Sequence, residues 1–157
     1  MRIIRSFIAP VAALAVASGI AVLPALASAP PASAAVSCTG TSLVPSVGAA
    51  GDRMRMPTVG NGTGNWHCQL GLGNAGVAVA RLQIALDSVA CNPPGAGLTV
   101  DGIYGPLTEA AVKAVQKSAG ITQDGVYGPV TAADMLWPLA AGSPDFGNCG
   151  FLPNPAG

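Results

Sequence analysis

The sequence predicts a mainly α-helical fold. We expect a compact three-helix bundle with two repeated Asp-Gly-x-Tyr-Gly-Pro turns, preceded by an irregular, disulfide-linked extension with short strands. Three observations predict this class: apolar residues recur at helical spacing from about residue 76, a thirteen-residue segment is repeated 23 residues later, and four cysteines follow a leader-like N-terminus. The predicted segments are a signal peptide (1–34), the extension (35–69), the helical domain (70–140) and a C-terminal tail anchored by Cys149 (141–157).

The first 34 residues have the parts of a secretory signal peptide. Arg2 and Arg5 supply a positive region, and residues 7–23 supply an apolar stretch. The triplet Ala32-Ser33-Ala34 is a small-residue cleavage site, and two similar triplets upstream are alternatives. A retained membrane anchor is the rival interpretation, but prolines and a glycine interrupt the stretch.

The cysteines all follow this leader, at Cys38, Cys68, Cys91 and Cys149. In an oxidising compartment an even number of cysteines predicts two disulfides, and four cysteines leave three connectivities open. Metal binding is the competing use, but the chain has no Cys-x-x-Cys pair of the kind that zinc sites employ. Lipid attachment at Cys38 is another alternative, and it would leave one thiol unpaired.

The charge balance excludes one class of partner. Without Arg2 and Arg5, five basic residues remain against seven acidic ones, so the net charge is 5 − 7 = −2. Binding to nucleic acid depends on clustered Lys and Arg that displace counterions from phosphates. We therefore expect no nucleic-acid partner, and no membrane association once the signal peptide is removed.

The extension, in contrast, shows no helical period. It is rich in Gly, Ser, Thr and Pro as far as about residue 74. Polar and apolar side chains alternate over Arg53-Met54-Arg55-Met56, which predicts a short half-buried strand ended by Pro57.

A first helix is predicted from about Gly76. Its apolar stripe has spacings of three and four residues, and Asn92-Pro93-Pro94-Gly95 ends it. The stripe consists of Val79, Leu82, Leu86 and Val89.

The repeat follows this helix. Residues 98–110 recur as residues 121–133, and eight of the thirteen aligned pairs are identical. In each copy Asp-Gly favours a turn, and Gly-Pro favours a helix start with proline at the first helical position. We therefore predict a second helix over Pro106–Ala119, with Val112 and Val115 in the core, and a third over 129–136, closed by Trp137-Pro138.

These motifs resemble the type-1 peptidoglycan-binding domain. The resemblance covers about residues 70–137, and it is carried by residues 79–86, 101–108 and 124–131 together with Ala111-Val112 and Val115-Gln116. The main departure is Val115, where the family usually has Phe.

The resemblance implies a compact three-helix module of secreted cell-wall proteins. Such modules are non-catalytic and often hold an attached hydrolase on peptidoglycan, so peptidoglycan and a cell-wall hydrolase are the implied partners. Some family members carry a disulfide that joins the residues before the first helix to those after the third. By that likeness Cys68 pairs with Cys149, which leaves Cys38 to pair with Cys91.

The sequence contains no recognisable set of catalytic residues. His67 is the only histidine, whereas a catalytic zinc site normally needs three protein ligands. Asp101 and Asp124 match the carboxylate pair of a glycosidase only in number, because each belongs to a repeated turn that explains it structurally. We expect neither an enzyme nor a bound metal or cofactor.

Ligand-binding candidates come from the repeat. A ligand of sugars and peptide favours aromatic faces and a few converging polar groups. Besides the residues of the repeat, Trp66 and Trp137 are aromatic candidates. For every candidate the alternative is a structural role, in the core or in a turn. Gln83 and Gln116 are equally suited to capping the loops. The predicted ligand-binding residues are Asp101, Tyr104, Thr108, Gln116, Asp124, Tyr127 and Thr131.

The sequence thus predicts a secreted, non-catalytic peptidoglycan-binding module located at the cell wall. Two alternatives remain: an accessory or targeting part of a cell-wall hydrolase, and an envelope structural protein or inhibitor with the same fold. Because the mature chain carries little charge, recognition should depend on shape and hydrogen bonds.

Overall fold

The computed structural model describes residues 35–47, 50–92, 95–142 and 147–153. These residues fall within one compact unit, Ser33–Gly157. The predicted signal peptide lies outside the described residues. Within the described part of the chain, no helix is both long and apolar enough to cross a membrane.

Three helices and four short strands make up the described chain. The strands form two separate antiparallel pairs, β1 with β2 and β3 with β4. In chain order the elements are β1 (Gly40–Pro45), β2 (Arg53–Thr58), α1 (Val77–Asp87), α2 (Pro106–Ser118), α3 (Pro129–Asp134), β3 (Trp137–Pro138) and β4 (Cys149–Gly150).

Helix α1 confirms the predicted first helix, with one correction. Val79, Leu82 and Leu86 are buried as predicted, whereas Val89 is 64% exposed. The helix ends before Val89, because Ser88 takes an extended backbone conformation and its N–H bonds to the carbonyl of Ala85. The apolar stripe is therefore one position shorter than the periodicity suggested.

Helices α2 and α3 both begin at the proline of a Gly-Pro pair, as predicted. Helix α2 buries Val112 and Val115. Helix α3 is shorter than expected and ends at Asp134, because Met135 is extended and leads directly into β3. The prediction of helix as far as residue 136 was wrong by two residues.

The β1–β2 hairpin belongs to the same core as the helices. Met54 and Met56 of β2 are buried in one cluster with Leu82 of α1 and with Trp137. The predicted strand is confirmed, but Pro57 does not end it. The facing residue, Thr41, receives its backbone contacts from elsewhere: its N–H bonds to the Asn61 side chain and its carbonyl accepts the N–H of Gly62. The amide hydrogen that proline lacks is therefore not needed there. The predicted domain boundary at residue 70 stays a prediction.

Two disulfides join the described chain, and their pairing corrects the expected one. Cys38 is bonded to Cys68, and Cys91 to Cys149. The first pair meets because the N–H of Cys38 bonds to the carbonyl of Gln69, 3.0 Å away.

The second pair joins the segment after α1 to β4. The Asn92 side chain donates to the carbonyl of Leu136, and β4 places Cys149 opposite Pro138. The expected pairs Cys68–Cys149 and Cys38–Cys91 are wrong, because the extension is fixed to the segment just before α1 rather than to the loop after it.

Candidate functional site

The first Asp-Gly turn is held from inside by a glutamine of α1. The Gln83 side-chain nitrogen donates to Asp101 Oδ1 (2.8 Å), to the carbonyl of Ile103 (3.1 Å) and to Thr108 Oγ1 (3.2 Å). Its oxygen accepts the N–H of Gly102 at 2.9 Å. Gly102 has a φ of 73°, a conformation that favours glycine. One buried amide therefore fixes the carboxylate, the backbone and the hydroxyl of the turn.

The second Asp-Gly turn is held in the same way by a glutamine of α2. Gln116 Nε2 donates to Asp124 Oδ1 (2.7 Å), to the carbonyl of Val126 (3.1 Å) and to Thr131 Oγ1 (3.1 Å). The Gln116 oxygen accepts the N–H of Gly125 at 2.9 Å. Helices α1 and α2 thus each supply the glutamine that shapes the turn leading into the next helix.

The two tyrosines of these turns are buried. The Tyr104 hydroxyl donates to the carbonyl of Gly125 at 2.7 Å, which connects the first turn to the second. Tyr127 packs edge-on against Trp137, with ring centroids 5.9 Å apart. Its hydroxyl has no hydrogen-bond partner among the described residues. Burial raises the pKa of both phenols above the ordinary value, so both remain neutral.

The two aspartates are the exposed members of the predicted set. Each carboxylate accepts bonds within its own turn, including a backbone N–H at 2.8 Å from Ile103 or from Val126. The hydrogen bond from Gln83, and then that from Ile103, lower the pKa of the Asp101 carboxyl below its usual value. The structure therefore places two of the seven predicted residues, Asp101 and Asp124, where a ligand can reach them, and buries the other five.

The remaining chemical candidates lie apart from the turns. His67 is exposed and stacks on Trp66, with ring centroids 4.2 Å apart. Trp137 is buried. In the described ranges, no group of three or more His, Cys, Asp or Glu side chains is placed to hold a metal ion.

An open groove of about 700 Å³ runs along α2, and the sequence reasoning did not identify it. We call it the α2 groove; it lies between one face of α2, the loop residues 95–98 and residues 134–136. Its wall is mostly apolar, and Asp134 is the charged side chain that lines it. The sequence feature that could have indicated the groove is the group of alanines in α2, because their small side chains leave space beside the helix. Six of the lining residues are Leu86, Leu98, Ala110, Ala114, Val115 and Met135.

Comparison with known proteins identifies the segment that carries these features. No curated protein matches the chain. A family model described as "Putative peptidoglycan binding domain" matches residues 75–135, which include the three helices and both Asp-Gly turns. Residues 75–135 thus match the model of the peptidoglycan-binding domain family that their motifs resemble.

Proposed function

We propose that this protein is a secreted, non-catalytic module that binds peptidoglycan at the cell wall. The observation that carries the proposal is the family match over residues 75–135, the segment that supplies both turns and most of the α2 groove. In this proposal α1, α2 and α3 act as a three-helix bundle, and binding requires no cofactor.

Two features support an extracellular location. All four cysteines are joined in disulfides, which persist in oxidising compartments. The sequence of residues 1–34 has the arrangement of a secretory signal peptide.

Within this proposal, the seven turn residues have two kinds of role. Asp101 and Asp124 offer exposed carboxylates to a ligand at the rim of the turns. Tyr104, Gln116 and the other buried members act by holding the turns in shape. The low charge of the mature chain means that neither role relies on attraction to a polyanion.

Co-sedimentation tests the binding. The oxidised protein without residues 1–34 is mixed with purified insoluble peptidoglycan and centrifuged at low and at moderate salt. We expect the protein in the pellet at both salt concentrations, whereas cellulose of equal mass should leave it in the supernatant. A protein that stays in the supernatant with peptidoglycan contradicts the proposal.

The same incubation tests the absence of catalysis. Soluble muropeptides are measured in the supernatant after prolonged incubation, with a muramidase as the positive control. We expect no release above the level of the buffer. Release by the purified protein would identify it as a cell-wall hydrolase instead.

A further inference from the structure

We infer that the α2 groove binds the peptide stem of peptidoglycan rather than its sugar chain. This inference rests on the proposed function and deepens it, because it names the part of the polymer that is recognised. Three properties of the groove carry it: small apolar side chains on its floor, backbone groups along one wall that have no partner among the described residues, and a single carboxylate at its rim.

The floor of the groove suits methyl groups. Ala110, Ala114 and Val115 of α2 line it, and Val115 is 9% exposed, so part of its side chain faces the open space. Short side chains on one helix face leave pits of about the size of a methyl group between them. Stem peptides are rich in alanine, and their methyl groups match such pits and gain from burial.

The described lining offers a sugar ring only one aromatic face and few free polar side chains. Pyranose rings are bound by stacking on aromatic faces and by many polar side chains. Tyr104, Tyr127 and Trp137 are buried in the core, so among the described residues the one aromatic side chain that lines the groove is Phe151, which is 47% exposed. The uncharged polar side chains that line the groove are already engaged: Asn92 donates to two carbonyls, and Ser118 donates to the carbonyl of Val115.

One wall offers backbone hydrogen bonds. Within the loop residues 95–98, the N–H of Gly95 and that of Leu98 have partners inside the protein, Asn92 and Asp87. The N–H and carbonyl groups of Ala96 and Gly97 have no partner among the described residues. An extended peptide presents the complementary backbone groups at the spacing of its own residues.

The rim carries one charge. Asp134 lines the groove, is exposed, and forms no ion pair with any residue in the described ranges. Stem peptides contain a diamino acid whose side-chain amine is free when it is not cross-linked. A carboxylate at this place favours that amine.

Binding measurements with separated parts of the polymer test the inference. The probes are a synthetic stem peptide with a free diamino-acid amine, the same peptide with that amine acetylated, and glycan strands from which an amidase has removed the peptides. In NMR titrations of the oxidised protein, we expect the free-amine peptide to bind and to shift the amide signals of Gly97 and Ala114. Binding of the bare glycan strands without binding of the peptide would overturn the inference while leaving the proposed function intact.

Variants assign the binding to the groove. Ala114→Leu adds bulk to an exposed helix position with little change in helix propensity, and it should weaken peptide binding about tenfold. Ala133→Leu, on α3 outside the groove lining, is the matched control and should bind as the unchanged protein does. Equal affinity of both variants would overturn the assignment.

The rim charge has its own test. Asp134→Asn should weaken binding of the free-amine peptide by about two- to fivefold and leave the acetylated peptide unaffected. An equal effect on both peptides would contradict a contact between the carboxylate and the amine. If the unchanged protein fails to sediment with intact peptidoglycan, the proposed function itself fails, and that result is separate from the outcomes above.

Discussion

At the scale of single residues, two glutamines organise the region that the family match covers. Gln83 and Gln116 are both almost completely buried, and each uses its nitrogen and its oxygen on one turn. A buried amide with all its bonds made adds stability, whereas its removal leaves several backbone groups without partners. Each of these turns is therefore sensitive to a change in the helix that precedes it.

Removal of one such amide should be costly. Gln83→Ala leaves the N–H of Gly102 without its partner and removes one of the hydrogen bonds that the Asp101 carboxylate accepts, so we expect the free energy of unfolding to fall by about 2–4 kcal/mol. Urea denaturation followed by circular dichroism measures the change. Gln123→Ala is the matched control, because Gln123 is exposed, and it should change stability by less than about 0.5 kcal/mol. Similar losses in both variants would contradict the role given to Gln83.

The two tyrosines provide a second test at this scale. Tyr104→Phe removes a buried hydrogen bond to Gly125 and should lower the free energy of unfolding by about 0.5–1.5 kcal/mol. Tyr127→Phe removes a hydroxyl that has no partner among the described residues, so it should be neutral or stabilising. Thermal and urea unfolding of the two variants measure these changes. A larger loss of unfolding free energy for Tyr127→Phe than for Tyr104→Phe would contradict the roles given to the two hydroxyls.

At the scale of elements, the helices were predictable and the strand partners were not. The periodicity of α1 and the two Gly-Pro starts are local signals, and both survive in the structure. β1 was foreseen only as part of an extension with short strands, since its pairing with β2 depends on register across a loop. β3 and β4 are two residues each and meet only because the chain returns from far away. The α2 groove escaped prediction for the same reason, because its walls come from three separate segments.

The disulfide pairing shows most clearly what the sequence could not predict. The pairing taken from the family likeness was wrong: a backbone bridge between Ser37 and Gln69 lies beside the Cys38–Cys68 bond and joins residues far apart in the sequence. We expect digestion under non-reducing conditions to yield linked peptides that contain Cys38 with Cys68, and Cys91 with Cys149. Mass spectrometry identifies them. A linked peptide that contains Cys68 and Cys149 would contradict the structure.

At the scale of the whole molecule, the extension is part of the core and not a separate appendage. Met54 and Met56 are buried against the helices, and Met54 also bridges to Leu139 after α3. The family match leaves this hairpin out, although the matched segment packs against it. The stability of the matched domain therefore depends on residues outside the match.

A core substitution in the hairpin measures that dependence. Met54→Ala should lower the free energy of unfolding by about 2–5 kcal/mol, because it leaves a cavity beside the helices. Leu43→Ala on the facing strand is the control, since Leu43 is exposed, and its effect should be below about 1 kcal/mol. A single cooperative transition in both variants would support one folding unit, whereas separate transitions for hairpin and helices would contradict it.

The glutamine contacts also bear on how the molecule opens. Gly102 and Gly125 lie in loops, yet the N–H of each bonds to a buried side chain. Amides in loops ordinarily exchange their hydrogen with solvent quickly, because local fraying releases them. These two cannot be released unless a neighbouring helix moves, so their exchange should be as slow as that of helix interiors. We therefore expect amide hydrogen exchange to place Gly102 and Gly125 among the positions of this protein that open last.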